Sequence, residues 1–329
     1  MPRFQLLLRL GISFALVGLL LHKVEWVSLG GVFAAANRSL LLMVLFGSPI
    51  LVVMLAWRLQ LVLQDQGVRL PLAGVLRMTW AGQFFNTFLP GTTGGDIFKL
   101  YQIGRLAPRA RAEGAASVVI DRLFAMLALA VLASVAVLVE PTPLLMLMEK
   151  GVAFRTAALL VLGLGCGVIA MVLLARERII QSGGFLSSSL IVMGEVIQVA
   201  RSGCRLNRRT ALAAALALAT HLGSFFAVFL LARALHIQIS FGQILLMMPV
   251  VLLVIMLPLT INGHGLREMV MIGYFELMHI VGAPGLASPS QMAVALSLMF
   301  VANDLCCALP GGLWHLLWPQ PMTATAGPL

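Results

Sequence analysis

Long apolar runs alternate with short polar stretches along the whole chain. Six of the runs are Phe4 to His22 (interrupted only by Arg9), Ser39 to Trp57, Ala115 to Val139, Thr156 to Ala175, Ala211 to Ala232 and Gln291 to Leu317. Each has the roughly 20 residues that an α-helix needs to cross a hydrocarbon core. Two further segments are broken. One runs from Thr79 to Pro90 after a mixed stretch, Arg58 to Arg77. The other runs from Phe241 to Leu259, with Met269 to Ile280 beyond it too short to span. The pattern predicts an all-α polytopic membrane protein with six full transmembrane helices and two re-entrant broken hairpins. A signal peptide at the first run, with Ala34-Ala35-Ala36 resembling a cleavage site, is outweighed by the run's length and the spans that follow.

Composition narrows the class further. The chain of 329 residues is 60% hydrophobic and 10% charged, with mean hydropathy +1.02. Soluble domains carry roughly 25% charged residues, so an ordinary soluble enzyme and a disordered chain are both excluded. Aromatics at 7%, together with the length of the runs, argue against an outer-membrane barrel. The net charge of +10 fits cytoplasmic loops facing anionic lipid, not nucleic acid. With the N-terminus cytoplasmic, fourteen Lys and Arg fall inside and six outside, and Arg9 and Arg122 lie within spans. That bias predicts both termini inside. A full crossing by Thr79 to Pro90 would move Arg105, Arg109 and Arg111 outside, so the re-entrant reading is preferred. The Arg-rich stretch Arg176 to Arg209 reads as a topology-setting loop, with Phe185 to Val199 partly amphipathic. Cys166, Cys204, Cys306 and Cys307 lack CxxC spacing, so neither a disulfide framework nor a zinc site is expected.

The order of segments is span, span, broken segment, span, and it occurs twice. The whole of 1–329 therefore reads as one integral membrane domain made of halves at about 1–150 and 151–329. Three crossings per half invert the second half relative to the first. The first break reads Leu89-Pro90-Gly91-Thr92-Thr93-Gly94-Gly95-Asp96, and the second Leu257-Pro258-Leu259-Thr260-Ile261-Asn262-Gly263-His264-Gly265-Leu266-Arg267-Glu268. Each passes from Leu-Pro through hydroxyl or amide residues to glycines and an acid. Pro lacks an N–H and Gly has excess backbone freedom, so both stop helices. Freed backbone groups at membrane depth need burial in protein or a wetted cavity. Matching breaks in inverted halves point to a transporter's central site. The helix N-termini after the breaks would offer N–H groups and partial positive charge to an anionic headgroup.

At these residues the sequence resembles a known family. Gln83-Phe84-Phe85-Asn86-Thr87-Phe88-Leu89-Pro90, Gly94-Gly95-Asp96, Gly104 and Ala116-Ser117-Val118-Val119-Ile120-Asp121-Arg122 are similar to the signature of the lysylphosphatidylglycerol synthase transmembrane region family. Gly263-His264-Gly265-Leu266-Arg267-Glu268 is similar to that family's second break. The resemblance implies a lipid-handling protein of the bacterial cytoplasmic membrane. In two-domain members this region is similar to a flippase for aminoacylated phosphatidylglycerol, followed by a soluble aminoacyl-transfer domain. The sequence ends soon after its last span, so synthase activity is not expected. Stand-alone relatives are associated with other lipids, including polyprenyl phosphates and hopanoids. In the second half Val301 occupies the position of the signature's Asp, with Asp304 a turn later.

Charges within an apolar span are costly and imply function or pairing. The expected substrate-binding set is Asn86, Pro90, Gly94, Gly95, Asp96, Lys99, Asp121, Arg122, Asn262, Gly263, Gly265, Arg267 and Glu268. Arg267 is the first choice for phosphate, because a guanidinium binds phosphate bidentately. Asp121 or Glu268 is the expected proton acceptor. Asp121 and Arg122 point about 100° apart on a helix and are not expected to pair with each other. Asp121 pairing with a neighbouring helix is the structural alternative. Asp96 and Lys99 form an i, i+3 pair, and His221 is expected as an interhelical donor. No nucleophile elbow, phosphate loop or HExxH motif occurs. Neither metal, cofactor nor enzymatic activity is expected. The expected function is a flippase for an anionic, phosphate-bearing lipid, with anionic membrane lipids as partners and lipid-biosynthesis proteins as further ones. The alternatives are a membrane enzyme using Asp96 and Asp121 on a polyprenyl or hopanoid lipid, and a non-catalytic member of a lipid-synthesis complex.

Overall fold

The computed structural model describes residues 26–88, 94–139, 207–256, 263–282 and 288–317. Its regular elements are helices throughout: α1 (Trp26–Ala34), α2 (Arg38–Asp65), α3 (Leu72–Phe88), α4 (Gly94–Leu106), α5 (Arg111–Val139), α6 (Arg208–Ala234), α7 (Phe241–Met256), α8 (Leu266–Leu277) and α9 (Pro289–Leu317). Four of these, α2, α5, α6 and α9, are long and apolar enough to cross a membrane. They coincide with four of the six expected spans. The other two, Phe4 to His22 and Thr156 to Ala175, lie outside the described residues, as does the amphipathic stretch Phe185 to Val199.

Helix α2 shows why these runs become buried spans. Val44, Ser48, Val52, Ala56, Leu59 and Leu63 recur at helical spacing and are buried. Leu42, Met43, Phe46, Ile50, Val53 and Trp57 form the opposite, exposed stripe. A helix apolar on both faces suits a protein interior on one side and acyl chains on the other. Its partner is α6, and the two run antiparallel over their full lengths. At one end Asn37 N–H donates to Ala234 O at 2.8 Å. At the other the Asn207 amide donates to Asp65. Midway, a Cβ on Gly223 would overlap Leu51, so glycine sets the close approach. Both helices begin on an Asn cap: Asn37 accepts from Ser39 and Leu40 N–H, and Asn207 forms a capping box with Thr210. Such caps contribute about 1 kcal/mol each.

The first broken segment folds as a helical hairpin. Asn86 of α3 lies beside Gly95 of α4, Phe85 beside Phe98, and Gly82 beside Lys99. The order of these pairs makes the two helices antiparallel. Gly82 and Gly95 bring the backbones together, since a Cβ on Gly95 would overlap the Gly82 carbonyl oxygen. In the second broken segment α7 is followed by α8 through two glycines with left-handed backbone, Gly263 (φ 72°) and Gly265 (φ 88°). Only glycine adopts such angles without strain. Pro90 and Asn262 lie outside the described residues.

Contacts across the halves hold the bundle together. Besides α2 on α6, α3 packs on α9, and α5 on both α6 and α7. Gly311 and Gly312 admit α3: a Cβ on Gly311 would lie 2.5 Å from the Trp80 carbonyl. Pro310 interrupts the hydrogen-bond ladder of α9, and Trp80 Nε1 donates to the adjacent Cys307 carbonyl at 2.6 Å.

Candidate functional site

A cavity of about 350 Å³ lies among α2 to α9, within the usual size range of small-ligand sites. Its wall carries four cationic side chains, Arg58, Lys99, Arg122 and Arg267, and three carboxylates, Asp96, Asp121 and Asp304. The rest is polar near Gln83, Asn86, Thr87 and Asn303 and apolar near Leu252, Ile255 and Phe300.

Arg58 and Asp121 form a fork. Nε donates to Oδ1 at 2.6 Å and Nη2 to Oδ2 at 2.9 Å, with side chains only 4% and 8% exposed. The bidentate geometry is the strong form of this contact. Asp121 thus pairs with a neighbouring helix, and not with Arg122. Arg122 instead donates to Asp96, which also meets Lys99 Nζ at 3.4 Å. One carboxylate therefore serves two cations. Arg122 keeps 35% of its side chain exposed.

Asn86 explains how this triad is positioned. Its Oδ1 accepts from Gly95 N–H at 2.6 Å, satisfying a terminal amide of α4 from the preceding helix. Asn86 spends its oxygen on the backbone, Gly94 and Gly95 are buried, and Asp96 in the first turn of α4 reaches α5.

The second break is built differently. Glu268 Oε2 accepts from Gly265 N–H at 2.6 Å, closing the start of α8. Its Oε1 accepts from Arg267 Nη2 at 2.9 Å and from the Ser297 hydroxyl of α9. Arg267 Nε donates to Ser297 Oγ at 2.8 Å, Nη2 meets His264 Nδ1 at 3.3 Å, and the guanidinium lies 5.4 Å from the Phe300 ring centre. Arg267 is 1% exposed. The expected N-terminal amides are thus partly occupied at both breaks, by Asn86 and by Glu268.

Of the expected residues, the cavity brings together Asn86, Asp96, Lys99, Asp121, Arg122 and Arg267. Gly94, Gly95, Gly263, Gly265 and Glu268 are not on its wall. Pro90 and Asn262 lie outside the described residues. His221 bridges α6 to α5 through the Ala125 carbonyl at 3.1 Å, as an interhelical donor does.

Arg58, Ser48 and Asn303 were not singled out from the sequence. Arg58 reads there as a loop charge ending an apolar run; instead α2 continues through it to Asp65 and buries it. Its signal was the apolar periodicity that resumes at Leu59, Val62 and Leu63. Ser48 and Asn303 hydrogen-bond across α2 and α9, with Asn303 Nδ2 donating to Ser48 Oγ at 3.1 Å. Asp304 faces the cavity, and its side chain has no ion-pair or hydrogen-bond partner among the described residues.

No curated protein matches the chain significantly. A family model for the lysylphosphatidylglycerol synthase transmembrane region matches residues 6–302, spanning both hairpins, the Asp96–Arg122 and Arg58–Asp121 pairs and the Arg267–Glu268 clamp. The protein is a multi-pass helical membrane protein that belongs to this family.

Proposed function

We propose that the protein is a flippase that moves an anionic, phosphate-bearing lipid across the bacterial cytoplasmic membrane through the cavity between its helices. Both termini face the cytoplasm, and the two hairpins are re-entrant elements of inverted halves. Undecaprenyl phosphate and phosphatidylglycerol derivatives are the substrates of matching chemistry. The observation that carries the reading is the Asp96 triad. Two cations meet one carboxylate on a cavity wall, and Arg122 keeps 35% of its side chain exposed there. A phosphate displacing or joining Asp96 would accept charge-assisted hydrogen bonds from Arg122 and Lys99.

Reconstituted vesicles carrying labelled phosphatidylglycerol or prenyl phosphate test this. Arg122→Ala and Lys99→Ala should each slow translocation by tenfold or more, the loss of a charge-assisted hydrogen bond worth about 1.5–3 kcal/mol. Arg267→Ala is the less informative variant, because it strands Glu268 in a buried site. Folded Arg122→Ala and Lys99→Ala proteins that move lipid at the original rate would refute the headgroup assignment. A covalently altered lipid in the same vesicles would favour the enzyme reading. In that reading Asp96 and Asp121 act as acid and base, a role at odds with their ion pairs.

A further inference from the structure

We infer that Asp304 and Asn303 form an acceptor subsite for hydroxyl groups on the headgroup, so that the lipid taken is a phosphodiester carrying a polyol and not a bare prenyl phosphate. The inference rests on the transport reading and narrows its substrate class.

The cavity wall differs from helix to helix in what it offers a ligand. On α4 and α5 it offers donors, Lys99 and Arg122. The carboxylates of those helices, Asp96 and Asp121, already accept from cations. On α9 it offers acceptors. Asp304 lines the cavity, and its oxygens accept from no group among the described residues. A carboxylate can only accept, with about four lone-pair sites. Asn303, the preceding residue, lines the same cavity. The Ser48 hydroxyl of α2 donates to Val44 O at 2.8 Å, so towards Asn303 it acts as an acceptor, taking Nδ2 at 3.1 Å. Asn303 Oδ1, 3.3 Å from the same hydroxyl oxygen, then receives no proton from it and keeps its accepting capacity. Consecutive residues of one helix thus put a carboxylate and an amide oxygen on the wall.

These acceptors call for a ligand with donors. A hydroxyl bonded to a carboxylate makes a charge-assisted contact. An ammonium would also donate, but Arg267 of the same wall already acts on Asp304, and a second cation there would meet like charge. A hydroxyl adds no charge. The cavity of about 350 Å³ has the room of about a dozen waters, enough for a phosphate and a glycerol together. With the phosphate on Lys99 and Arg122, a glycerol or sugar esterified to it can reach α9. A prenyl phosphate brings hydrocarbon to that place and leaves both acceptors without a donor. A site that hydrogen-bonds a substrate hydroxyl discriminates against the analogue lacking it for this reason.

The test uses the full chain in vesicles with fluorescent short-tailed lipids that differ only in headgroup. Phosphatidylglycerol carries the phosphate and hydroxyls, phosphatidylmethanol the same charge and no hydroxyl, and phosphatidylethanolamine an ammonium. At limiting probe, wild type should move phosphatidylglycerol about tenfold faster than phosphatidylmethanol, the worth of a hydrogen bond to a charged acceptor, and also faster than phosphatidylethanolamine. Asp304→Asn keeps the side chain's shape and gives up its charge. It should bring the ratio of phosphatidylglycerol to phosphatidylmethanol rates to within about twofold of one. A general loss of structure would slow both probes alike and leave the ratio unchanged, and an unchanged ratio overturns the inference. So does a wild-type preference for phosphatidylethanolamine, which would make the subsite one for ammonium. The wild-type comparison stands whether or not the variant folds. Equal wild-type rates for phosphatidylglycerol and phosphatidylmethanol would overturn the inference and leave the flippase reading standing. Wild-type vesicles that move no lipid would end both.

Discussion

The Arg58–Asp121 pair yields the sharpest energetic prediction. Both side chains are more than nine-tenths buried, and both donor–acceptor contacts are short. Two unit charges about 4 Å apart attract by about 4 kcal/mol at an effective dielectric of 20. Removing one partner forfeits that attraction and leaves the other charge buried, a loss of about 3–5 kcal/mol. Arg58→Met and Asp121→Leu should each lower the folded-to-unfolded ratio about a thousandfold. Removing both ions together deletes the attraction and the desolvation cost at once, so Arg58→Met/Asp121→Leu should lie within about 1 kcal/mol of wild type. Additivity would instead place the double variant about 8 kcal/mol down.

The structure also sets the order of the single variants. Lys99 and Arg122 both act on Asp121. Once Asp121 is gone, Arg58 faces two like charges. Once Arg58 is gone, Asp121 still has two cations near it. Asp121→Leu should therefore be the more damaging. Equilibrium unfolding of the detergent-solubilised protein in mixed micelles measures all four corners of the cycle. A double variant as unstable as the sum of the singles, or an Arg58→Met protein as stable as wild type, would show that the fork is not a buried ion pair.

Three further substitutions probe the hairpins. Gly95→Ala should destabilise the protein by about 1–3 kcal/mol in the same unfolding assay, because its Cβ meets the Gly82 carbonyl and the Asn86 amide. Asn86→Ala should cost about 1 kcal/mol by leaving Gly95 N–H without its acceptor, while Asn86→Asp should recover most of it. Gly265→Ala should cost about 1–3 kcal/mol, read from the unfolding midpoint, since a backbone at φ 88° strains any residue with a Cβ.

The legible part of this structure was whatever depends on one helix at a time. The apolar runs located α5, α6 and α9 to within about four residues and the start of α2 to within one, though α2 runs eight residues past Trp57, because span length and hydropathy are properties of a single segment. The Pro-Gly breaks located the ends of α3 and α7 and the starts of α4 and α8 for the same reason. What stayed hidden depends on two helices at once. Arg58 looks like any cation at the end of a span until α5 is seen to bring Asp121 against it. Asn303 and Ser48 are 255 positions apart and meet only in the bundle. Arg267 appeared the best phosphate ligand from its neighbours in the chain, yet Ser297 from another helix and Glu268 beside it already hold it. Asp304 was visible as a displaced acid, but that it meets no hydrogen-bond or ion-pair partner among the described residues depends on every helix around it.

The two breaks share a local composition but distribute their hydrogen bonds differently, and the difference decides which of them can meet a headgroup. At the first, a neutral side chain from the previous helix, Asn86, satisfies the amide at the start of α4. The acid that follows is thereby spared for Lys99 and Arg122, and two cations share it. At the second, the cap is the acid itself. Glu268 closes Gly265 N–H, holds Arg267 and accepts from Ser297 with the same carboxylate. A phosphate approaching Arg122 competes with half of one carboxylate's interactions. A phosphate approaching Arg267 would have to displace Glu268 and uncap α8 in the same step. Arg122, 35% exposed against 2% for the Arg267 side chain, is already the more accessible. Under the proposed function, phosphate recognition therefore falls to the first half, and the second half contributes a rigid wall to the cavity.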